Sequence, residues 1–494
     1  MTFRLSFILT VFFVCFSFAQ NGNPNDYLSA QFHKERREAL RAKMPKNSVA
    51  VFFGNPIRNR ANDVDYVYHQ DPDFYYLTGY KEPNCVLVIF SNNQTDKDGK
   101  TYNEMIYVQE KNPKVEQWTG IRLGTEGAKK DLGFEVALNG KEFLNSGIDY
   151  MSFNNVLFKE FEEDTRNSKR DKADLYKLIG AFKSQIGYNE KVKSQTDSNV
   201  QNEINPKKSI TSKKATIDTQ SILTYMASLR EIKSKEEMVL LTKAVRISAM
   251  GQREIMKAMH PGMSETEIQG VHEFVYKKYG SEYEGYPSIV GAGNNGCVLH
   301  YIENSKMKVE NDLVLMDLGA EYHGYSADVT RTIPANGKFS TEQKLIYDLV
   351  YDAQEAGIAT AKIGNGFGAP DTAARKVISD GLIKLGITKT ADESRKYFPH
   401  GTSHHIGLDV HDPGLYNNFE ENMVLTVEPG IYIPNGSDCD KKWWGIAVRI
   451  EDDILITANG PVNLSGEAPR KSNDIELLMK EKSVFDNFNL PVLD

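Results

Sequence analysis

Four acidic residues stand within runs of apolar, strand-forming residues in the second half of the 494-residue chain. Asp317 and Asp328 lie in two extended runs joined by a short polar turn, and Glu428 and Glu451 lie in two further apolar runs. An ionised carboxylate in a buried strand is costly unless it is hydrogen-bonded, paired with a cation or bound to a metal. The chain must therefore fold so that partners reach all four carboxylates.

The runs that contain Asp317 and Asp328 are typical of a β-hairpin. With the turn centred between Tyr322 and His323, Asp317 pairs with Asp328 and both side chains share one face. Two directly opposite carboxylates repel each other, and the turn holds no Lys or Arg to neutralise them. Acidic pairs are common on exposed hairpins, but Leu315 indicates a buried strand, so we predict that this pair binds a cation.

Glu428 and Glu451 also lie in apolar strands, so we predict that they bind a cation as well. A salt bridge to Arg449 is the alternative for a buried glutamate. Together the four carboxylates carry four negative charges, which two divalent cations balance. Ligation by carboxylates with one imidazole suits manganese, cobalt, iron or zinc. Two cations about 3.5 to 4 Å apart can share a bridging water, lower its pKa and clamp the oxygen of an attacked carbonyl. Hydrolysis is the chemistry that this site predicts.

The segment 400–412 holds four of the ten histidines, which makes it the densest group of imidazole ligands in the sequence. Neighbouring side chains of an extended segment point in opposite directions, so His404 and His405 cannot both bind one metal. We expect the other histidines, His400 and His411, to face the substrate or to support the ligands. A polar loop with incidental histidines is the alternative interpretation.

Residues 291–296 match the dinucleotide-binding pattern G-x-G-x-x-G, but their context excludes that function. Residues 297–301 are apolar and β-prone, so no helix N-terminus follows to hold a pyrophosphate. We interpret the motif as a glycine-rich turn that leads to His300. This histidine belongs to the site or packs at the end of a strand.

The N-terminal residues 1–19 predict a secretory signal, because Arg4 precedes an apolar run and small residues end at Ala19. The protein is then secreted or periplasmic; an uncleaved anchor and a lipidated Cys15 are the alternatives. No later stretch is apolar enough to cross a bilayer. The net charge of -8 argues against a nucleic-acid surface.

The rest of the chain divides by composition. Residues 26–158 alternate short β-rich runs with polar or helical segments and predict an α/β domain, whereas residues 159–215 are charged and indicate a helical linker. Residues 216–482 predict a second, α+β domain. Three capping patterns in that domain predict helix starts: Ser234 with Glu237, Ser264 with Glu267, and Ser340 with Gln343.

The ordered set of Asp317, Asp328, His404, Glu428 and Glu451 resembles the ligand set of the pita-bread metallopeptidases. The flanking motifs resemble the aminopeptidase P and prolidase branch: IVG at 289–291, CVLHY at 297–301, DLGA at 317–320, GLDVHD at 407–412, VEPG at 427–430 and RIED at 449–452. The resemblance implies a pita-bread catalytic domain behind an N-terminal α/β domain of the creatinase type.

The resemblance also implies a role for each ligand. Asp328 and Glu451 bridge two metal ions, Asp317 completes one coordination sphere, and His404 with Glu428 completes the other. Glu428 also shuttles a proton. Relatives often carry an aromatic residue at the position of His405, and the motif favours His404 as the ligand.

Five further residues match the family's substrate-binding positions. His300 and His411 stabilise the tetrahedral intermediate and position the substrate carbonyl. His400, Tyr432 and Arg449 shape a pocket for proline, which suits the tertiary amide of an X-Pro bond.

The function implied is that of an Xaa-Pro aminopeptidase, which releases the N-terminal residue from peptides with proline in second position by means of a metal-bridging hydroxide. The implied cofactor is two divalent ions, with Mn²⁺ favoured over Co²⁺, Zn²⁺ and Fe²⁺. A prolidase confined to X-Pro dipeptides and a catalytically inactive peptide-binding protein are the alternatives. The short stretch between Glu428 and Glu451 favours the aminopeptidase. We also expect a homo-oligomer with peptide substrates, no nucleic-acid partner, and no stable membrane insertion after signal removal.

Overall fold

The structure is a computed structural model that describes residues 24–188, 215–488 and 490–491. The predicted signal sequence 1–19 lies outside the described residues, as does the part of the predicted linker from 189 to 214. Helices and strands are both abundant in the described chain, which confirms the predicted α+β class.

The first half is built on one six-stranded mixed sheet. Its elements are α1 (Ala30–Lys43), β1 (Ser48–Phe53), β2 (Asn59–Ala61), β3 (Val64–Asp65), α2 (Pro72–Thr78), β4 (Val86–Thr95), β5 (Thr101–Val108), α3 (Pro113–Thr119), α4 (Gly124–Leu132), β6 (Ala137–Asn139), α5 (Gly140–Phe143), β7 (Asn155–Phe158), α6 (Leu175–Ile186) and β8 (Thr216–Asp218). The strand order is β6-β5-β4-β1-β7-β8, with β4 antiparallel to both neighbours and the other pairs parallel.

The central strands of this sheet are buried on both faces. In β4, Val86, Val88 and Phe90 belong to one hydrophobic core, and Leu87 and Ile89 belong to another. Side chains alternate between the faces of a strand, so a continuous apolar run is required where both faces are covered.

The segment predicted as a linker contributes to this domain where it is described. In α6, the side chains of Leu178, Phe182 and Ile186 recur every four residues and pack into the core that also contains Val86. The sheet ends with β8, which pairs with β7. The sheet therefore continues three residues past 215, where the composition places the domain boundary.

The second half carries four small sheets and longer helices. Its elements are α7 (Ser221–Arg230), α8 (Lys235–Ala258), α9 (Glu265–Lys278), β9 (Tyr283–Glu284), β10 (Ile289–Ala292), β11 (Leu313–Asp317), β12 (Ala320–Tyr322), β13 (Tyr325–Ser326), β14 (Thr330–Pro334), α10 (Thr341–Thr360), α11 (Ala369–Lys384), β15 (Val424–Val427), β16 (Gly430–Ile433), β17 (Ile446–Arg449), β18 (Asp452–Thr457), β19 (Gly460–Asn463) and α12 (Ser472–Leu478). The sheets have the orders β10-β11-β14, β13-β12-β9, β15-β18-β19 and β16-β17.

The three helix starts predicted in this half are confirmed. Ser234, Ser264 and Ser340 are the N-caps of α8, α9 and α10, and each forms a complete capping box with the residue three positions later. Helix α8 packs on α9, and α10 packs on α11.

The predicted register of the hairpin is wrong by two residues. Tyr322 pairs with Tyr325, and the turn consists of His323 and Gly324, both with positive φ of 51° and 89°. Two-residue hairpin turns of this kind require positive φ at both positions, which glycine adopts without strain. The predicted turn would have placed Tyr322 in such a position instead of Gly324.

The two acids still share one face after this correction. Asp317 pairs with Thr330, and Asp328 lies two residues earlier in the irregular stretch between β13 and β14. Because side chains repeat every two residues along an extended chain, a shift of two keeps Asp328 on the face of Asp317.

The aromatic segment 73–80 joins the two halves. Phe74, Tyr76 and Leu77 are fully buried in a core that also contains residues of α8, β12 and β13. The Tyr76 hydroxyl donates to the carbonyl of Leu229, in α7.

Gly319, which follows β11, is a test of how closely the acid-bearing segments pack. A Cβ atom at this position would lie 2.0 Å from the carbonyl oxygen of Ala327 and 2.6 Å from the Tyr286 ring. We expect Gly319→Ala to lower the free energy of unfolding by at least about 2 kcal/mol in urea denaturation. The control is Gly270→Ala in α9, where a Cβ meets no atom within 4 Å; an equal loss in both variants would contradict the packing argument.

Candidate metal centre and active site

A cavity of about 670 Å³ is lined entirely by residues of the second half. Nine of the ten predicted site residues line it: His300, Asp317, Asp328, His400, His404, His411, Glu428, Arg449 and Glu451. The tenth, Tyr432, lies behind the wall, where its hydroxyl contacts His400 and Arg449. The structure therefore brings together residues that are spread over about 150 positions of the sequence.

The acids lie at the ends of strands, where the chain leaves a sheet. Asp317 is the last residue of β11, Glu428 lies between β15 and β16, and Glu451 lies between β17 and β18. Backbone hydrogen bonds join these ends, because the Glu451 amide donates to the carbonyl of Thr330 and the Glu428 amide donates to that of Thr402. The carboxylates therefore project from rigid, cross-linked backbone.

Asp328, His404 and Glu451 form the centre of the cluster. One ligand atom from each residue lies within 4.8 Å of the others. His404 Nε2 lies 3.5 Å from Asp328 Oδ2 and 3.7 Å from Glu428 Oε1. Oε1 of Glu451 is buried and has no hydrogen-bond partner among the described residues. A buried carboxylate oxygen without a partner fits a metal ligand.

The cluster holds more negative charge than its surroundings neutralise. Burial raises the pKa of Glu451 well above its ordinary value, and the neighbouring carboxylates raise it further. Burial and the charge of Asp317 raise the pKa of Asp328, and burial raises the pKa of Glu428 to about 7. Carboxylates at such positions take up protons or cations. Divalent cations would remove the excess charge, so the donor set fits a metal site.

Asp317 has a different environment from the other three acids. Its Oδ2 accepts from Arg449 Nη2 at 2.6 Å, and its Oδ1 accepts from the Tyr286 hydroxyl at 2.6 Å. Burial raises the pKa of Asp317, but Arg449 outweighs this effect and the net pKa is below its ordinary value. Arg449 therefore pairs with Asp317, and the salt bridge considered for a glutamate is formed with an aspartate instead.

The pKa values of three histidines of the cavity shift in different directions. Burial lowers the pKa of His404, but the hydrogen bond and charge of Asp328 outweigh it and raise the pKa to about 9. Burial lowers the pKa of His400 to about 4 and also lowers that of His411. His411 packs against His404 with ring centroids 4.2 Å apart, and the His400 Nε2 contacts the Tyr432 hydroxyl at 2.7 Å.

His405 points away from the cavity, as the alternation of side chains predicts. Its ring is fully buried against Phe367 and Tyr416, with centroids 4.7 and 5.1 Å away. Neither ring nitrogen has a hydrogen-bond partner among the described residues, and burial lowers the ring's pKa to about 4. His405 therefore packs as a neutral aromatic ring.

Three residues that the sequence analysis did not select support the ligands. The Tyr286 hydroxyl also lies 2.7 Å from Asp328 Oδ1, the Thr330 hydroxyl donates to Glu451 Oε2 at 2.6 Å, and Asp453 Oδ2 accepts from the Asp328 amide. Thr330 and Asp453 each lie two residues after a ligand, so alternation along an extended chain could have selected them. Tyr286 lies just before the 289–291 motif and has no such signal.

Known proteins resemble this chain over most of its length. Residues 33–155 match the family model of the aminopeptidase P N-terminal domain, and residues 239–458 match metallopeptidase family M24. An Xaa-Pro aminopeptidase of Escherichia coli (strain K12) is 34% identical over 464 residues, which cover 92% of this chain and 98% of that protein. Among solved structures, E. coli aminopeptidase P with the inhibitor Pro-Leu is 33% identical with a TM-score of 0.79, covering 92% and 98% of the two chains. Aminopeptidase PepP of Pseudomonas aeruginosa is 31% identical with a TM-score of 0.78, covering 92% and 99%.

The fold and the carboxylate-histidine cluster define a pita-bread metallopeptidase with an N-terminal α/β domain. The predicted fold and resemblance are thereby confirmed. The chain belongs to metallopeptidase family M24, in its aminopeptidase P and prolidase group, and its enzyme class is that of a metalloaminopeptidase.

Tyr286 provides a test of the support around the ligands. Tyr286→Phe removes the hydroxyl shared by Asp317 and Asp328 and keeps the ring. We expect the affinity for Mn²⁺, measured by calorimetric titration of metal-stripped protein, to fall by about tenfold or more, because groups that orient ligands affect metal affinity by about 10- to 100-fold. Tyr283→Phe is the matched control, since its hydroxyl donates to the carbonyl of Tyr68 outside this cavity. Unchanged affinity in Tyr286→Phe would contradict the role.

Proposed function

We propose that the protein is an Xaa-Pro aminopeptidase, which hydrolyses the bond between an N-terminal residue and a proline in second position. The observation that carries the proposal is the cavity in which three buried carboxylates, the partly buried Glu428 and His404 lie beside three further histidines, which are His300, His400 and His411. The names of the similar proteins support the same substrate class.

We propose two divalent metal ions as the cofactor, with manganese favoured and cobalt, zinc or iron as alternatives. The residues that would hold these ions are Asp317, Asp328, His404, Glu428 and Glu451. The buried Glu451 oxygen without a hydrogen-bond partner and the raised carboxylate pKa values support this assignment. When bound, the ions would supply Lewis acidity and lower the pKa of water.

Glu428 is the residue that we assign to proton transfer. Its two oxygens lie 3.7 Å from His404 Nε2 and 3.7 Å from His400 Nδ1, and it lines the cavity. A carboxylate that faces the cavity can both accept a proton and release it. The leaving group is the proline nitrogen, which must gain a proton as the bond breaks, and Glu428 would deliver it.

His300 and His411 are assigned to the substrate carbonyl. A neutral imidazole can donate one N–H to the oxygen on which negative charge develops during attack. Burial lowers the pKa of His411, which favours its neutral form.

His400, Tyr432 and Arg449 are assigned to the proline subsite. A hydrogen-bonded chain runs from His400 to the Tyr432 hydroxyl and on to Arg449, so the three side chains hold one another in place. Proline has no N–H to satisfy at this position, and apolar walls suit its ring. The cavity supplies such walls through Ile289 and Leu299.

We further propose that residues 1–19 direct the protein to a secreted or periplasmic location and that the protein is a homo-oligomer. None of the helices in the described residues is long and apolar enough to span a membrane. Trp118 and Ile121, with exposed fractions of 87% and 86%, support contact with another protein surface.

The substrate class is tested with the Mn²⁺-loaded protein and three peptides. We expect Ala-Pro-Ala to lose its N-terminal alanine, Ala-Ala-Ala to be cleaved at least about 100-fold more slowly, and the release to be measured by chromatography. Cleavage of Ala-Pro with Ala-Pro-Ala left intact would identify a prolidase instead. No cleavage of any peptide, together with fewer than about one bound ion per chain, would identify an inactive peptide-binding protein.

The proposed proton transfer is tested by Glu428→Gln, which keeps the size of the side chain and removes its proton exchange. We expect kcat to fall by about 100- to 10,000-fold, the usual range for loss of a general acid-base group. The circular dichroism spectrum should be unchanged. Glu421→Gln, on an exposed position of the preceding loop, is the control for the charge change. A kcat near that of the unsubstituted protein would rule out the role of Glu428.

A further inference from the structure

The loop that carries His300 has little secondary structure of its own. It leaves β10 through a short 3-10 turn, Gly293–Cys297, and reaches β11 at Leu313 without a further helix or strand. Val298 and Ile302, two residues before and two residues after the histidine, are 54% and 53% exposed. A loop of this length holds a side chain in one place only where other parts of the fold fasten it.

The fastening group is the carboxylate of Glu265, the first residue of α9. Its side chain is fully buried and accepts four hydrogen bonds. Oε1 accepts from the Ala292 amide at 2.8 Å and from Asn295 Nδ2 at 3.0 Å. Oε2 accepts from the Tyr301 hydroxyl at 3.0 Å and from the Lys306 amide at 2.8 Å.

These donors lie on both sides of His300 in the sequence. Ala292 and Asn295 precede the histidine, whereas Tyr301 follows it directly and Lys306 closes the loop. The Glu265 amide returns a further hydrogen bond to the Lys306 carbonyl at 2.9 Å. One buried carboxylate therefore joins the two arms of the loop at the N-terminus of a helix, where negative charge is favoured.

The neighbouring acid of the same helical turn has a different function. Glu267 is exposed, and its contacts close the capping box with Ser264. Capping therefore accounts for Glu267, but it does not account for a buried carboxylate with four donors at Glu265.

We propose that Glu265 is a positioning residue of the active site, which holds the loop 292–306 so that His300 reaches the substrate in the cavity. The inference rests on the proposed function, in which His300 contacts the substrate carbonyl. Glu265 itself lies outside the lining of the cavity and acts through the histidine.

The test uses Glu265→Gln in the metal-loaded, full-length protein with Ala-Pro-Ala as substrate. A glutamine presents an amide N–H₂ to two of the four donors, so the loop loses hydrogen bonds without loss of volume. We expect kcat to fall by about 10- to 100-fold with KM changed by less than about threefold, because a displaced catalytic group affects the transition state most. Glu267→Gln, with the same charge change on the same turn, should retain the kcat of the unsubstituted protein.

A double-mutant cycle with His300→Ala separates positioning from a general structural role. If Glu265 acts through His300, the Glu265→Gln substitution should cost less than about threefold when His300 is already alanine. Amide hydrogen exchange should also accelerate in residues 292–306 and remain unchanged in β15 and β16. An equal loss of kcat in both backgrounds, or unchanged exchange in the loop, would overturn the proposal.

Two further results separate the proposed role of Glu265 from the assigned role of His300. If His300→Ala has no effect on kcat, the assigned role of His300 fails and the proposal fails with it. If His300→Ala lowers kcat and Glu265→Gln does not, only the positioning role is overturned. Should Glu265→Gln fail to fold, Tyr301→Phe removes one donor while keeping the ring, and it should show the same non-additivity with His300→Ala on a smaller scale.

Discussion

Repulsion among four clustered carboxylates is the constraint on which the site depends. Two like charges about 4.8 Å apart, the limiting separation of the ligand atoms of Asp328 and Glu451, cost about 3 to 4 kcal/mol at an effective dielectric constant near 20. Arg449 neutralises part of this charge at Asp317, and hydroxyl donors relieve a further part. The remaining charge suits divalent cations, which is why the same cluster that opposes folding is suited to hydrolytic chemistry.

The scaffold resists this repulsion through hydrogen bonds donated by the backbone amides of three of the acids. The acids lie where strands end, and the amides of Glu428 and Glu451 donate to carbonyls of other segments. The Asp328 amide donates to Asp453 in β18. Side chains held in this way keep their geometry when the charge on the cluster changes, which a site on free loops would not do.

Buried ion pairs connect the N-terminal domain to the histidine-rich segment 400–412. Arg230 in α7 contacts both Asp73 of the N-terminal domain and Asp412, which follows His411. Lys233 pairs with the other oxygen of Asp412 at 3.0 Å. All of these charged side chains are nearly or fully buried, so removal of one partner would leave an unpaired buried charge. The two halves of the chain are therefore coupled at the segment that carries His404 and His411.

The sequence by itself determined that the four acids lie in apolar runs, that His404 and His405 point in opposite directions, and where three capped helices begin. Each of these follows from a period of two or from a pattern within four residues. Tertiary structure alone decided the pairing of Arg449 with Asp317 across 132 positions and the placement of Tyr286 between two acids. It also decided that Glu265, and not its neighbour Glu267, is buried against the loop of His300. Local patterns specify which face a side chain takes, but the partner that it meets there depends on how distant segments pack.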